Sequence, residues 1–333
     1  MKEWLLCCDW GTSSFRLRLV DTRSHRTIGE VLSQQGVAST FDAWKAGGDH
    51  GEPARSEFFQ RQLKQQIDAL SIQLSVRLDS VAVVISGMAS SSLGMAEVPY
   101  ATLPFAVDGS QVSIRRFAWR EEFPHEITLV SGVRSQQDVM RGEETQLVGL
   151  VALLDASDDA SGEAIFIFPG THSKHLRVRN GQLIDFQTFM TGEVFHLMAT
   201  HSILKTSVDI GDLTQRPDDA VAFKLGVKAA GRSPILNGLF TVRTNQLFNA
   251  LDKPQNALYL SGLLIGTEIK YFSEIKSNQL VLCSGSNLYD FYRLALEELN
   301  LSDCTTTVPP DLIDRAATAG QIKIFRNQTA ALP

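Results

Sequence analysis

An acid, a glycine and three hydroxyls stand almost side by side at Asp9-Trp10-Gly11-Thr12-Ser13-Ser14, between two apolar runs. A plain two-residue hairpin would be closed by Asn-Gly or Asp-Gly. Backbone amides and hydroxyls at such a turn suit phosphate oxygens, and a carboxylate at its edge suits Mg2+ held through water. Asp9 is therefore the candidate metal residue, and Gly11, Thr12 and Ser13 are candidate phosphate contacts. The competing reading is an ordinary hairpin with a polar turn. The pattern recurs far downstream, where the apolar run 164–168 ends in Pro169-Gly170-Thr171-His172-Ser173-Lys174. Gly170, Thr171, His172, Ser173 and Lys174 form the second set of phosphate candidates, although Lys174 also fits a solvated strand residue. Two such turns facing each other across a cleft would hold a polyphosphate from both sides.

The elements that must carry these turns repeat as well. Hydrophobic patterning predicts strands at about 3–9, 15–21 and 26–33, a polar loop at 46–53 and a helix over about 54–70. Phe58, Phe59, Leu63, Ile67 and Leu70 fall on one face of that helix. The run Ser80–Ser86 reads as a fully buried strand ended by Gly87, and Arg141–Leu154 as an apolar-faced helix. A polar loop, 155–162, separates the halves. The second half restarts with strands at 164–168, 174–179 and 183–189, the last two joined by Asn180-Gly181, a strong hairpin signal. Helices follow at about 192–204, 218–230, 235–250 and 256–276, then a strand at 280–283 and a helix at 288–300. A hairpin with a hydroxyl-rich turn thus heads each half.

The chain has 333 residues, 44% of them hydrophobic and 20% charged, which suits two globular lobes rather than one. A net charge of -6 argues against nucleic acid as a main partner. The opening shows no secretory pattern, and no apolar run reaches membrane-spanning length, so no membrane association is expected. Cys7, Cys8, Cys283 and Cys304 read as cytosolic thiols in core packing, and the expected location is cytoplasmic.

Taken in order, the motifs resemble the sugar-kinase/actin/heat-shock ATPase superfamily, and within it the 2-dehydro-3-deoxygalactonokinase family. Asp9–Arg16 is similar to that family's first phosphate motif, and Phe168–Lys174 to its second, with Met190-Thr-Gly-Glu193 following. Asp138-Val-Met-Arg-Gly-Glu-Glu-Thr-Gln146 resembles the segment entering the helix that joins the lobes. Cys283–Asn287 resembles the adenosine segment, and Ala316–Gly320 the small-residue helix that crosses back onto the joining helix. Each motif is weak alone; the ordered set, from residue 9 to residue 320, is specific.

The resemblance implies two ribonuclease-H-like α/β lobes with mixed sheets flanking a nucleotide cleft. The first lobe would hold residues 1–145 plus 312–333, and the second 146–311. It further implies ATP-dependent phosphorylation of a 2-keto-3-deoxy sugar acid, foremost 2-dehydro-3-deoxy-D-galactonate to its 6-phosphate, with ATP and Mg2+ bound. Asp138 is then the candidate base, with Glu143 as runner-up; the competing reading of Asp138 is a cap for the helix near Arg141. Ser284, Gly285, Ser286 and Asn287 would meet adenosine, or form a simple strand-to-helix turn. Arg16, Gly87, Met88, Ser92 and Arg141 are the sugar-pocket candidates, the arginines as carboxylate clamps.

One departure bears on the substrate. Where the family reads Ser-Arg-Gln-Gly-Trp, this chain has Ser92 and Met95 at the arginine and tryptophan positions. Loss of that arginine keeps another acidic sugar, or a neutral one, in view. A phosphohydrolase acting on nucleotide or polyphosphate is the alternative from another class, and a homodimer stays open. Gly226–Ser233 mimics a phosphate-binding loop but ends a helical run, so context rejects it. The pairs His172/His175 and His196/His201 lack the companions of a transition-metal site.

Overall fold

The computed structural model describes residues 4–48, 51–154, 162–210, 217–274 and 279–330. The chain divides into two compact units, the first comprising Met1–Ser161, Arg179–Asp185 and Leu312–Pro333, the second Gly162–Val178 and Phe186–Asp311. The sequence reading put the division at 145/146. In the structure the joining helix lies wholly in the first unit, as does the tip of the second hairpin.

The first unit opens with β1 (Trp4–Trp10), β2 (Phe15–Asp21) and β3 (Thr27–Ser33), followed by α1 (Val37–Ala46) and α2 (Gly51–Leu74). Next come β4 (Val83–Gly87), β5 (Ala101–Thr102), β6 (Phe105–Ala106) and β7 (Ile114–Phe117). β8 (Ile127–Val130), β9 (Val133–Arg134), β10 (Val139–Met140) and α3 (Glu143–Leu153) complete its main run. The main sheet has the order β3-β2-β1-β4-β8-β7, while β10-β9-β5 forms a small separate sheet. β1, β2 and β3 pair antiparallel, whereas β1, β4 and β8 run parallel. All five residues of β4 are buried, as an interior parallel strand requires. α2 lays Phe59, Leu63, Ile67 and Leu70 against this sheet's core, where Trp10 meets Phe15 edge-on at 5.0 Å.

The second unit carries β11 (Glu163–Phe168), β12 (Ser173–Arg179), β13 (Gln182–Phe189), α4 (Thr191–His201), α5 (Pro217–Ala230) and α6 (Ile235–Leu247). α7 (Lys253–Ile269), β14 (Gln279–Leu282), α8 (Ser286–Glu298) and β15 (Thr305–Thr307) follow, before the C-terminal helix α9 (Pro310–Ala330). Its strands lie in the order β15-β14-β11-β12-β13, with β11, β14 and β15 parallel. That order repeats the β8-β4-β1-β2-β3 pattern of the first unit. The duplicated hairpin in the sequence thus grows into a duplicated ribonuclease-H-like sheet.

Several boundaries differ from the patterning. Sequence patterning does not predict α1, because its start is fixed by the turn beside it. Its first amides, on Val37 and Ala38, donate to the carbonyls of Gly11 and Thr12 at 2.9 and 3.1 Å. α3 starts at Glu143 rather than Arg141, after the short strand β10. The loop 155–162 lies, but for Gly162, outside the described residues. Of the four free cysteines, Cys7, Cys8 and Cys283 are buried, but Cys304 is exposed, so the expected core packing holds for three. Among the described residues no helix is long and apolar enough to cross a membrane.

Candidate active site

In the first unit, the β1–β2 turn is closed by the Gly11 amide donating to the Ser14 carbonyl at 2.9 Å. The carbonyls of Gly11 and Thr12 are taken by α1, and Gly36 is pressed so close that a Cβ there would lie 2.3 Å from the Thr12 oxygen. The turn is therefore held from behind. Its amides at Thr12 and Ser13 donate to nothing among the described residues, and the side chains of Thr12 and Ser13 are exposed. Such an outward set of N–H and O–H donors is what an anion needs.

Asp9, the penultimate residue of β1, lies at the end of this strand beside β4. Gly87 has φ +89°, and a Cβ on it would sit 2.8 Å from the Trp10 carbonyl and 3.4 Å from Asp9 Oδ1. A Cβ on Gly142, at φ +113°, would lie 3.7 Å from Gly87 Cα. Three chain segments thus converge where only glycine fits two of them. Burial pushes the Asp9 carboxyl above its ordinary value, Arg16 pulls it back, and Glu143 pushes it up again. Glu143, the first residue of α3, therefore shares the field of Asp9.

Asp138 does not cap α3. It closes the β9–β10 hairpin, where its amide donates to Ser135 Oγ at 2.9 Å and its Oδ1 accepts from the Val139 amide at 2.7 Å. The α3 N-terminus is capped instead by Glu144, whose Oε2 accepts from the Gly142 amide and Oε1 from Thr145, at 2.7 and 2.9 Å. Glu144 is buried, and desolvation first, with Glu143 second, raises its carboxyl to about 7.

Arg141 reaches back to the segment after β4. Its Nη1 donates to Ser90 Oγ at 2.7 Å, and its guanidinium lies 3.9 Å from the centre of the Tyr100 ring. Its Nε is buried without a hydrogen-bond partner among the described residues. Met88 lies in the one-turn helix Met88–Ser90 that follows Gly87. Ser92 is exposed, whereas Met95 is fully buried. Arg16 sits on β2, directly across from Asp9.

In the second unit, the loop Pro169–His172 joins β11 to β12, and its amides at Gly170, Thr171 and His172 donate to nothing among the described residues. Lys174 is buried, with Nζ donating to the His172 carbonyl at 3.2 Å, so it is no solvated strand residue. His172 bonds Glu193 on the first turn of α4. Ser284 is buried, while Ser286 and Asn287 are exposed at the start of α8, their amides free among the described residues. Gly285 has an ordinary φ of -65°, and a Cβ there would touch nothing within 4 Å. It contributes open space above the backbone rather than unusual dihedral freedom.

Sequence patterning overlooked Glu268. Its buried carboxylate gathers Ser173, His175, Thr191 and Tyr292. A lone acid in the apolar run of α7 was the available signal, since unpaired carboxylates are almost never fully buried.

Comparison with known proteins gives a consistent result. The chain is 31% identical to the 2-dehydro-3-deoxygalactonokinase of Escherichia coli (strain K12) over 270 residues, covering 77% of this chain and 86% of that protein. It is 32% identical to DgoK1 of Rhizobium meliloti (strain 1021), provisionally named a 2-dehydro-3-deoxygalactonokinase, over 88% of this chain and 89% of that one. A crystal structure of a protein from Sinorhizobium meliloti, provisionally given the same enzyme name, superposes with a TM-score of 0.75. That match has 29% identity and covers 99% of this chain and 97% of the other. The model of the 2-keto-3-deoxy-galactonokinase family matches residues 9–324, and the chain belongs to that family.

Proposed function

We propose that this chain is a sugar kinase that transfers a phosphoryl group from ATP to a hydroxyl of 2-dehydro-3-deoxy-D-galactonate, yielding the 6-phosphate. Family membership over residues 9–324 carries this reading. Phosphoryl transfer asks a protein mainly for positioning and charge neutralisation. Thr12 and Ser13 in the first unit, and Gly170, Thr171 and His172 in the second, offer donors suited to phosphate oxygens, while the Gly11 amide closes the first turn. Ser173 and Lys174 support the second loop from beneath, and the start of α8 at Ser284–Asn287 suits the adenosine.

Among the described residues no three acids, histidines or cysteines gather as a metal cage. That fits Mg2+, which is commonly held by one or two carboxylates together with water and substrate phosphates. Asp9 would hold it, with Glu143 as the second acid whose repulsion of Asp9 a cation relieves. When bound there, the ion would supply neutralisation of phosphate charge. Asp138 is then the base that takes the proton of the sugar hydroxyl, and the guanidinium groups of Arg141 and Arg16 face the sugar acid's carboxylate. Four free thiols and an ATP-dependent small-molecule reaction suit the cytoplasm.

The test is a coupled ADP-release screen over 2-keto-3-deoxy sugar acids and neutral hexoses. Turnover on the galactonate derivative, lost in Asp138→Asn, is the expected result. Turnover confined to neutral sugars would overturn the substrate assignment, and ATP hydrolysis indifferent to any sugar would make the chain a hydrolase. If Glu143→Gln abolishes turnover while Asp138→Asn retains it, the two acids exchange roles.

A further inference from the structure

We propose that Glu268 is a positioning residue for ATP, acting through Ser173 and Thr191 to fix the loop Pro169–His172 and the start of α4 in one arrangement. This rests on the reading of that loop as a phosphate contact.

Glu268 lies near the end of α7 and is 3% exposed. Its Oε1 accepts from Ser173 Oγ at 2.7 Å and from His175 Nε2 at 2.8 Å. Its Oε2 accepts from Tyr292 OH at 2.8 Å and from Thr191 Oγ1. Two of these four donors belong to the end of the loop and to the helix packed on it. Ser173 is the first residue of β12, immediately after His172, and Thr191 is the first residue of α4. Between them the loop and α4 are in close contact. The Glu193 amide donates to the Thr171 carbonyl at 3.0 Å, and a Cβ on Gly192 would lie 2.7 Å from the Gly170 oxygen. One carboxylate therefore ties the C-terminal end of the loop to the start of α4, beside the amides of Gly170, Thr171 and His172, which donate to nothing among the described residues.

A buried acid is a poor device for packing alone, because removing its charge from water costs more than an apolar side chain would. Four donors on two oxygens explain why it must be a carboxylate. A glutamine offers one acceptor oxygen, and its NH2 would oppose two of the donors. Burial pushes the Glu268 carboxyl up, but the bonds from His175, Thr191 and Ser173 together more than offset this and hold it below its ordinary value. The four donors thus favour the carboxylate form.

Steady-state kinetics and nucleotide titration on the full chain test the assignment. Glu268→Gln should raise KM for ATP roughly tenfold, the order seen when a residue orienting a binding group is lost, with KM for the sugar acid unchanged. Thr191→Val, which breaks only the α4 leg and keeps side-chain volume, should move KM for ATP in the same direction. It serves if the Gln variant does not fold. His175→Asn removes another Glu268 partner without touching either end of the loop; it should lower Tm and leave KM for ATP unchanged. A Glu268→Gln or Thr191→Val enzyme with lowered Tm but wild-type KM for ATP would overturn the proposal, as would a parallel rise in both KM values. Gly170→Val separates the two layers of inference. If it loses ATP binding while the Glu268 and Thr191 variants do not, only the positioning role falls. If it binds ATP normally, the loop is no phosphate site and both readings fall.

Discussion

Asp9 and Arg16 are partners across the β1–β2 register, two residues on either side of a turn whose Thr12 and Ser13 amides donate to nothing among the described residues. The arginine lies opposite the acid that burial and Glu143 push toward protonation. Asp9 must be ionised to hold a cation, so the acid limb of kcat/KM should follow its balance of neighbours. Replacing Arg16 with Gln removes the favourable charge and should move that limb to higher pH. Replacing Glu143 with Gln removes the like charge and should move the limb of the remaining rate to lower pH. Asp9→Asn itself should lower kcat on the order of 100-fold or more. A pH profile that stays fixed in both charge variants would remove Asp9 from the site.

Glu144 makes a prediction about stability instead. Its folded carboxyl is raised to about 7 from an ordinary value of 4.5, with burial as the main cause. The folded protein therefore binds more protons than the unfolded chain between those two pH values, and stability falls as pH rises through that window. The loss from this one group is on the order of 3 kcal/mol once both states are ionised, at about 1.4 kcal/mol per pH unit. Glu144→Gln keeps an acceptor for the Gly142 amide and a partner for Thr145. It should be more stable than wild type at pH 8 by denaturant titration, and no more stable at pH 4.

Much of this was legible from residue types. The two hairpins and the buried strand before Gly87 are local signals, each set by neighbours in sequence. What patterning could not see depends on contacts far along the chain. α1 is started by carbonyls of Gly11 and Thr12, some two dozen residues earlier. The cap of α3 comes from Glu144 within the helix rather than from Asp138 before it. Glu268 finds its partners at positions 173, 175, 191 and 292, which no periodicity brings together. A buried charge in an apolar helix signals that such partners exist, but only the fold names them.

The crossing of α3 and α9 is tight enough to test by one methyl group. A Cβ on Gly149 would lie 1.8 Å from the Ala316 carbonyl, and one on Gly320 would lie 1.9 Å from the Thr145 carbonyl. Both obstacles are backbone, so neither can swing away. Gly149→Ala should force the helices apart and destabilise the protein by about 2–3 kcal/mol, read as a drop in Tm. Gly285→Ala, in open space with ordinary dihedrals, should leave Tm within about a degree, since the added methyl meets nothing. Equal Tm values for the two variants would show that the helices do not cross where the structure puts them.

Arg141 is the proposed contact for the carboxylate of the sugar acid. Its guanidinium is stacked on Tyr100 and tied to Ser90, which leaves its plane fixed before any substrate arrives. Nε is buried and has no hydrogen-bond partner among the described residues, so a carboxylate would have to approach the Nη edge of the guanidinium. The exposed Ser92 carries no charge, so this arginine would have to serve as an anion contact alone or with Arg16. Lysine can match the charge but not the planar fork or the stacking. Arg141→Lys should therefore raise KM for the sugar acid by at least about tenfold, the weight of a charge-assisted hydrogen bond, while KM for ATP stays unchanged. Neutral hexoses, which lack the carboxylate, should show no such change. A variant that loses affinity for ATP and sugar alike would mean that Arg141 only holds the segment 88–100 in place, with the carboxylate met elsewhere.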